Sequence, residues 1–253
     1  MKEGRVKKCV LILLDGIADR SCKAFGNKTP LQAAHTPTLD RIASLGSSGL
    51  YHAARLGQAL PSENAHFAIF GFDDTDFPGR GALEALGAGV DICEADVSIL
   101  AHFACLREEN DNLILEKDNP SASIDEVQAL VAAVSQYRAG DIQIRFHPTK
   151  GIFGVVVLTG EVSPFITDTN PMREGSLLME VKPWQSYSHD AKTRHSAGAL
   201  KTYLLWVYEQ LRDHGVNRAR SCSGLLPING LITQRTGQLK TVCQFRRLYG
   251  MKG

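Results

Sequence analysis

Five consecutive apolar residues, Val10 to Leu14, run into Asp15 and Gly16. An unbroken apolar run that ends on a turn residue reads as a strand buried on both faces, as in parallel sheets. A strand followed by a polar loop and a helix opens a βα unit, so this stretch points to an α/β fold. Asp15 then stands at the carboxyl end of the strand, where open α/β sheets place their ligands. The plainer reading is an aspartate that opens a turn.

The chain has 253 residues, 43% hydrophobic and 22% charged, enough for one large domain or two smaller ones. A formal net charge of +1 gives no overall field toward nucleic acid or membrane. No run approaches the roughly 18 apolar residues of a membrane span. The basic start, residues 1–8, precedes an apolar run of only Cys9 to Leu14, too short for the core of a signal peptide. The six cysteines form no Cys-x-x-Cys pair, which fits free thiols in a reducing compartment and a cytoplasmic chain.

Further along, Thr36 suits the N-cap of a helix over 37–45, Pro37 its first position and Gly46 a left-handed end. Ser62 suits the N-cap of a helix running into Phe67–Phe70, with Glu63 in its first turn. A serine at a helix N-terminus also lies among free backbone N–H groups, which suit a phosphate carried on its oxygen. Arg80, flanked by Gly79 and Gly81, is placed in a turn where backbone can approach an anion; a solvated turn arginine is the alternative.

From Asp91 the pattern changes. Strands are expected at 96–106, 112–115, 141–146 and 152–158, with a capped helix from Ser123 to near Gly140. Asp168 lies in the polar loop Thr167-Asp168-Thr169-Asn170-Pro171 and serves as a site residue or a turn aspartate. A long helix is expected from His189 to Asp213, with Ser188 as cap and Gly215 at its end. Its apolar face is Leu200, Leu204, Leu205, Val207, Tyr208 and Leu211. A last strand at 228–232 leads to Arg235 and Gly237.

Taken in order, Leu14-Asp15-Gly16, Lys28-Thr29-Pro30-Leu31, Ser62-Glu63-Asn64-Ala65-His66, Gly79-Arg80-Gly81 and Thr167-Asp168-Thr169-Asn170-Pro171 form a specific series. Leu226-Pro227-Ile228-Asn229 and Arg235 extend it over nearly the whole chain. The series resembles the archaeal-type cofactor-independent phosphoglycerate mutases of the alkaline phosphatase superfamily. The resemblance implies a partial alkaline-phosphatase-like doubly wound sheet with an inserted α+β domain. By this resemblance residues 1–78 begin the phosphatase-like domain, 79–237 form the inserted domain, and 238–253 link back to the remainder.

The activity so implied is interconversion of 3-phosphoglycerate and 2-phosphoglycerate in glycolysis, through a phosphoserine. Two divalent ions, Mn²⁺ or Mg²⁺, are implied, and no organic cofactor. Asp15 matches the first metal ligand, a hard carboxylate suited to such cations. Ser62 matches the nucleophile and a second metal contact. Arg80, Arg235 and Asp168 match candidate substrate contacts.

The chain departs from the family pattern at Leu100, where an arginine is expected, and at Ile152-Phe153, where a His-Arg pair is expected. Glycerate recognition is therefore expected to differ. The family's remaining metal ligands, a set of Asp and His residues, have no counterpart here. Three alternatives follow: a complementing chain or second copy supplies them, the sequence is an N-terminal portion of such a mutase, or the chain is a non-catalytic truncated homologue that binds a phosphorylated metabolite or a partner.

Overall fold

The computed structural model describes residues 8–252 and divides into two units, Met1–Leu56 and Gly57–Gly253. The basic residues 1–7 of the start lie outside the described residues.

In the first unit the stretch from Val10 to Leu14 is extended coil, not a strand, and Asp15-Gly16 is a turn with Gly16 at φ 71°. The run is exposed, from 44% at Leu13 to 82% at Val10. A strand exists only as a hydrogen-bonded pairing, and no segment among the described residues pairs with this one. Two short helices follow, α1 (Pro30–Ala33) and α2 (Pro37–Leu45). Thr29 and Gln32 cap α1 reciprocally. Pro37 opens α2 as expected, but the Thr36 hydroxyl donates to the Asp40 carboxylate at 3.3 Å instead of capping backbone. Gly46 is extended rather than left-handed.

The second unit is built on one antiparallel sheet in the order β2-β1-β5-β4-β3, with β6 also paired to β1. Its centre is β1 (Val97–Glu109), flanked by β2 (Asn112–Lys117), β5 (Phe153–Thr159) and β6 (Gly230–Gln238). β3 (Gln136–Ala139) and β4 (Ile142–Pro148) extend the β5 side. Residues 97–102 of β1 pair with β5 and β6 at once, while its far end turns to β2. Being central, the first part is covered on both faces, with Val97, Ile99 and Ala101 on one and Ser98, Leu100 and His102 on the other. The β1–β2 turn is tight because Asn110 and Asp111 both take positive φ, which these two residue types tolerate.

Ile99, Ala101 and Phe103 face the main core with α5 (Ile124–Val134) and α6 (Ala191–Arg212). Ser123 and Glu126 form a capping box at the start of α5. The expected continuation of this helix toward Gly140 fails: α5 ends at Val134, and Gln136–Ala139 pairs with β4 instead. α6 begins later than expected, with Asp190 as N-cap accepting the Thr193 N–H at 2.7 Å. Its buried face is Ala197, Leu200, Tyr203, Val207 and Leu211, at helical spacing; Leu205 points outward, 48% exposed. Gly215 opens a further helix, α7 (Gly215–Cys222), rather than only ending α6. The tail carries a short helix, α8 (Phe245–Tyr249).

The opposite face of the sheet carries Ser98, Leu100 and His102. Here α3 (Ser62–Ile69) precedes α4 (Arg80–Gly87), and α4 packs on β1 and β6. The approach is close because both partners lack side chains at the contact. A Cβ on Gly81 would meet the Ser98 carbonyl oxygen at 2.0 Å. A Cβ on Gly79, itself at φ 83°, would meet Gly237 Cα at 2.5 Å. Gly81→Ala is therefore expected to lower unfolding free energy by about 1–3 kcal/mol in urea titration. Gly87→Ala, which meets open space on the same helix, is the matched control and is expected to be neutral or stabilising.

Candidate functional site

β6 is interrupted where it meets α4. Ser98 pairs with Gly237 and Leu100 with Gln234, so β6 holds one residue more than β1 over this span. This is a β-bulge, which bends a strand and re-aims a side chain. Arg235 lies in the bulge at φ 57°. A left-handed backbone costs a non-glycine residue on the order of 1 kcal/mol, so something must hold it there.

Asp168 does so, accepting the Arg235 N–H at 2.7 Å. Its loop is fastened to β6 as well: the Thr169 and Asn170 N–H groups both donate to the Thr233 carbonyl, at 2.9 and 3.2 Å. Burial pushes the Asp168 carboxyl above its ordinary 3.8, while the Arg235 N–H and charge pull it the other way.

The Arg235 guanidinium pairs with Glu63, the residue after Ser62. Burial alone would raise the Glu63 carboxyl. Hydrogen bonds from its own backbone and from Arg235, with the charges of Arg235 and Arg80, outweigh burial and hold it below 4.5. Ser62 is the first residue of α3, not its cap as expected; Pro61 takes the cap position. Pro61 has no N–H to donate and no side-chain acceptor, so the first turn of α3 is not capped by its own chain. The Ser62 side chain is exposed, and its hydroxyl has no hydrogen-bond partner among the described residues.

A cavity of about 340 Å³ lies on this face, lined by Arg80, Leu100, His102, Lys150, Phe153 and Arg235, among others. Arg80 comes from the first turn of α4, Lys150 from the β4–β5 turn and Arg235 from the bulge. Among the described residues Arg80 and Lys150 have no ion-pair partner. Glu84 lines the cavity too, but Arg80, Lys150 and Arg235 leave the lining net positive, and cations beside apolar walls attract an anion more strongly than the same charges in open water. A larger groove of about 470 Å³ lies elsewhere, but its lysine, Lys201, already pairs with Glu180 at 2.9 Å. Of these two, the smaller cavity is the better anion site.

The structure thus brings together Ser62, Glu63, Arg235 and Arg80 in one unit. Asp168 acts on the backbone of Arg235 and is not a lining residue. Asp15 is an exposed turn residue of the other unit. Among the described residues no group of three or more His, Cys, Asp or Glu side chains is placed to hold a metal ion. Both positions where the chain departs from the mutase pattern bear on the cavity: Leu100 and Phe153 line it, while Ile152 turns into the main core. Glu63 was read only as a favourable first-turn residue, and Lys150 and His102 were not singled out in the sequence. The period-two alternation of β1 does put His102 on the face of Leu100.

A family model described as 2,3-bisphosphoglycerate-independent phosphoglycerate mutase matches residues 43–217. The chain belongs to this family. A phosphoglycerate mutase of that name from Methanopyrus kandleri is 36% identical over 99% of the chain and 60% of the relative. One from Methanocaldococcus jannaschii is 34% identical over all of the chain and 60% of the relative. The chain therefore spans about 60% of the length of these mutases. Among solved structures, the cofactor-independent phosphoglycerate mutase of Thermoplasma acidophilum is 30% identical, with a TM-score of 0.56 over 92% of the chain and 61% of that structure. A Pyrococcus horikoshii protein has a TM-score of 0.66 at 24% identity, a likeness of fold alone. The mixed α/β fold, dominated by an antiparallel sheet, is thus that of the mutase family. No helix among the described residues is long and apolar enough to cross a membrane.

The depressed Glu63 carboxyl has a pH consequence. Its contribution is complete above pH 4.5 and is lost as pH falls below that value. Glu63→Gln is expected to cost on the order of 1 kcal/mol at neutral pH, a gap that closes in acid. Urea unfolding of both proteins from about pH 7 down to 3 checks this. A gap independent of pH would contradict it.

Proposed function

We propose that the chain carries the phosphoryl-accepting serine and the anion cavity of a phosphoglycerate mutase, acting in glycolysis in the cytoplasm. The observation that supports this most is the link Ser62–Glu63–Arg235, which ties an uncapped helix start with a free hydroxyl to a cavity holding unpaired cations. In this reading residues 1–78 begin a phosphatase-like domain, 79–237 form the inserted substrate domain, and 238–253 lead back toward the first.

The chemistry is a double phosphoryl transfer. The Ser62 oxygen attacks phosphorus as the bond from phosphorus to one glycerate oxygen breaks. The serine proton ends on the departing hydroxyl. Glycerate turns, its other hydroxyl takes the phosphoryl group, and that hydroxyl's proton returns to Ser62. Little covalent work falls to the protein in such a transfer; positioning and charge neutralisation do most of it. Arg80, Lys150 and Arg235 supply the positive charge. The backbone N–H groups of the first turn of α3 suit a phosphate on the serine. Asp168 positions Arg235. The family resemblance implies two divalent ions, Mn²⁺ or Mg²⁺, with Asp15 in one unit and Ser62 in the other each a candidate ligand; neither unit's described residues make up a ligand set, so no step here is assigned to metal.

The full chain is assayed for conversion of 3-phosphoglycerate to 2-phosphoglycerate with Mn²⁺ present, and its tryptic peptides are searched for phosphoserine after quenching. Turnover with phosphate on Ser62 is expected, and Ser62→Ala should reduce turnover by about three orders of magnitude or more. A folded chain that neither turns over nor acquires phosphate at Ser62 would refute the proposal.

A further inference from the structure

Four polar groups of the cavity lining are unused by the mechanism above, Glu84, His102, Thr149 and Gln234, and His102 is the buried one. His102 is only 4% exposed, in a row between Phe153 on β5 and Ile232 on β6. Its ring lies 5.3 Å from that of Phe153. A buried histidine between two apolar residues requires a partner, and Nε2 meets Asp118 Oδ1 at 2.9 Å. Asp118 is itself fixed. Its Oδ2 accepts from Asn119 at 3.1 Å, and its N–H donates to Glu174 at 3.1 Å.

A carboxylate can only accept, so Nε2 carries the hydrogen in this pair. In the neutral ring Nδ1 is then left as an acceptor. Nδ1 makes no hydrogen bond among the described residues, yet it is not one of the sealed, unpartnered polar atoms, which are Asp96 Oδ1 and Ser98 Oγ. It therefore keeps some exposed surface, on a residue that lines the cavity. Resting on the mutase reading, we propose that His102 Nδ1 accepts a hydrogen bond from a hydroxyl of the bound phosphorylated acid, and so selects hydroxy acids. Arg80 and Lys150 hold the anionic groups; Leu100 and Phe153 offer nothing to a hydroxyl. Glu84, His102, Thr149 and Gln234 carry acceptors, and of these His102 alone has its accepting atom fixed by a carboxylate behind it.

Calorimetric titration of the full chain with 3-phosphoglycerate and with 3-phosphooxypropanoate, which lacks the hydroxyl, tests this. The wild type is expected to bind the hydroxy acid about tenfold more tightly, because the deoxy compound leaves Nδ1 unsatisfied. His102→Phe should bring the ratio to about one by removing the acceptor. Asp118→Asn, which keeps the side-chain volume but frees the ring tautomer, should narrow the ratio; it decides the matter if His102→Phe does not fold. A ratio near one in the wild type, or a ratio unchanged in the folded variants, overturns the inference while leaving the mutase reading intact. Failure of the wild type to bind either compound overturns both.

Discussion

The close seat of α4 on the sheet is the contact on which the site depends. Gly79, Gly81 and Gly237 remove the side chains that would otherwise hold helix and strand apart, and backbone meets backbone. The Gln238 N–H donates to the Pro78 carbonyl at 2.8 Å, locking the turn before α4 to the end of β6. That seat delivers Arg80 to the bulge where Arg235 projects. Two guanidinium groups side by side repel, and the cluster holds because Glu63 neutralises one of them and both act on its carboxyl. The glycines flanking Arg80 thus serve packing first, and the placement of charge follows from it.

The bulge illustrates how a polar loop can act at one remove. Asp168 reads in the sequence as a turn aspartate or a site residue, and the family resemblance makes it a candidate substrate contact. In the fold it stabilises a left-handed Arg235 backbone, and its neighbours Thr169 and Asn170 tie that loop to Thr233. The charge that reaches the cavity belongs to Arg235. A local backbone strain of about a kilocalorie is offset by two buried hydrogen-bonding residues and one carboxylate.

Much of the second unit was legible from sequence because its signals are local. Alternation located β4; apolar runs beside turn residues located β1 and β5; the Ser123–Glu126 pair located α5; helical spacing located α6. The failures have a common cause. Gln136–Ala139 looks like a helix tail, and only pairing with β4 makes it a strand. Val10 to Leu14 looks like a buried strand, and without a pairing partner among the described residues it is exposed coil. Hydrophobicity states a demand for neighbours but cannot supply them. The site was half legible for the same reason: Ser62, Arg80 and Arg235 carry recognisable contexts, whereas His102 and Lys150 join them only through sheet register and a turn.

The central claim is that this glycine-seated face binds the phosphate of a small phosphorylated acid. A crystal structure of the full chain soaked with 3-phosphoglycerate tests it most directly. The account predicts ligand density in the cavity, with anionic oxygens against Arg80, Lys150 and Arg235. A ligand bound elsewhere, or an empty cavity at saturating concentration, would contradict it.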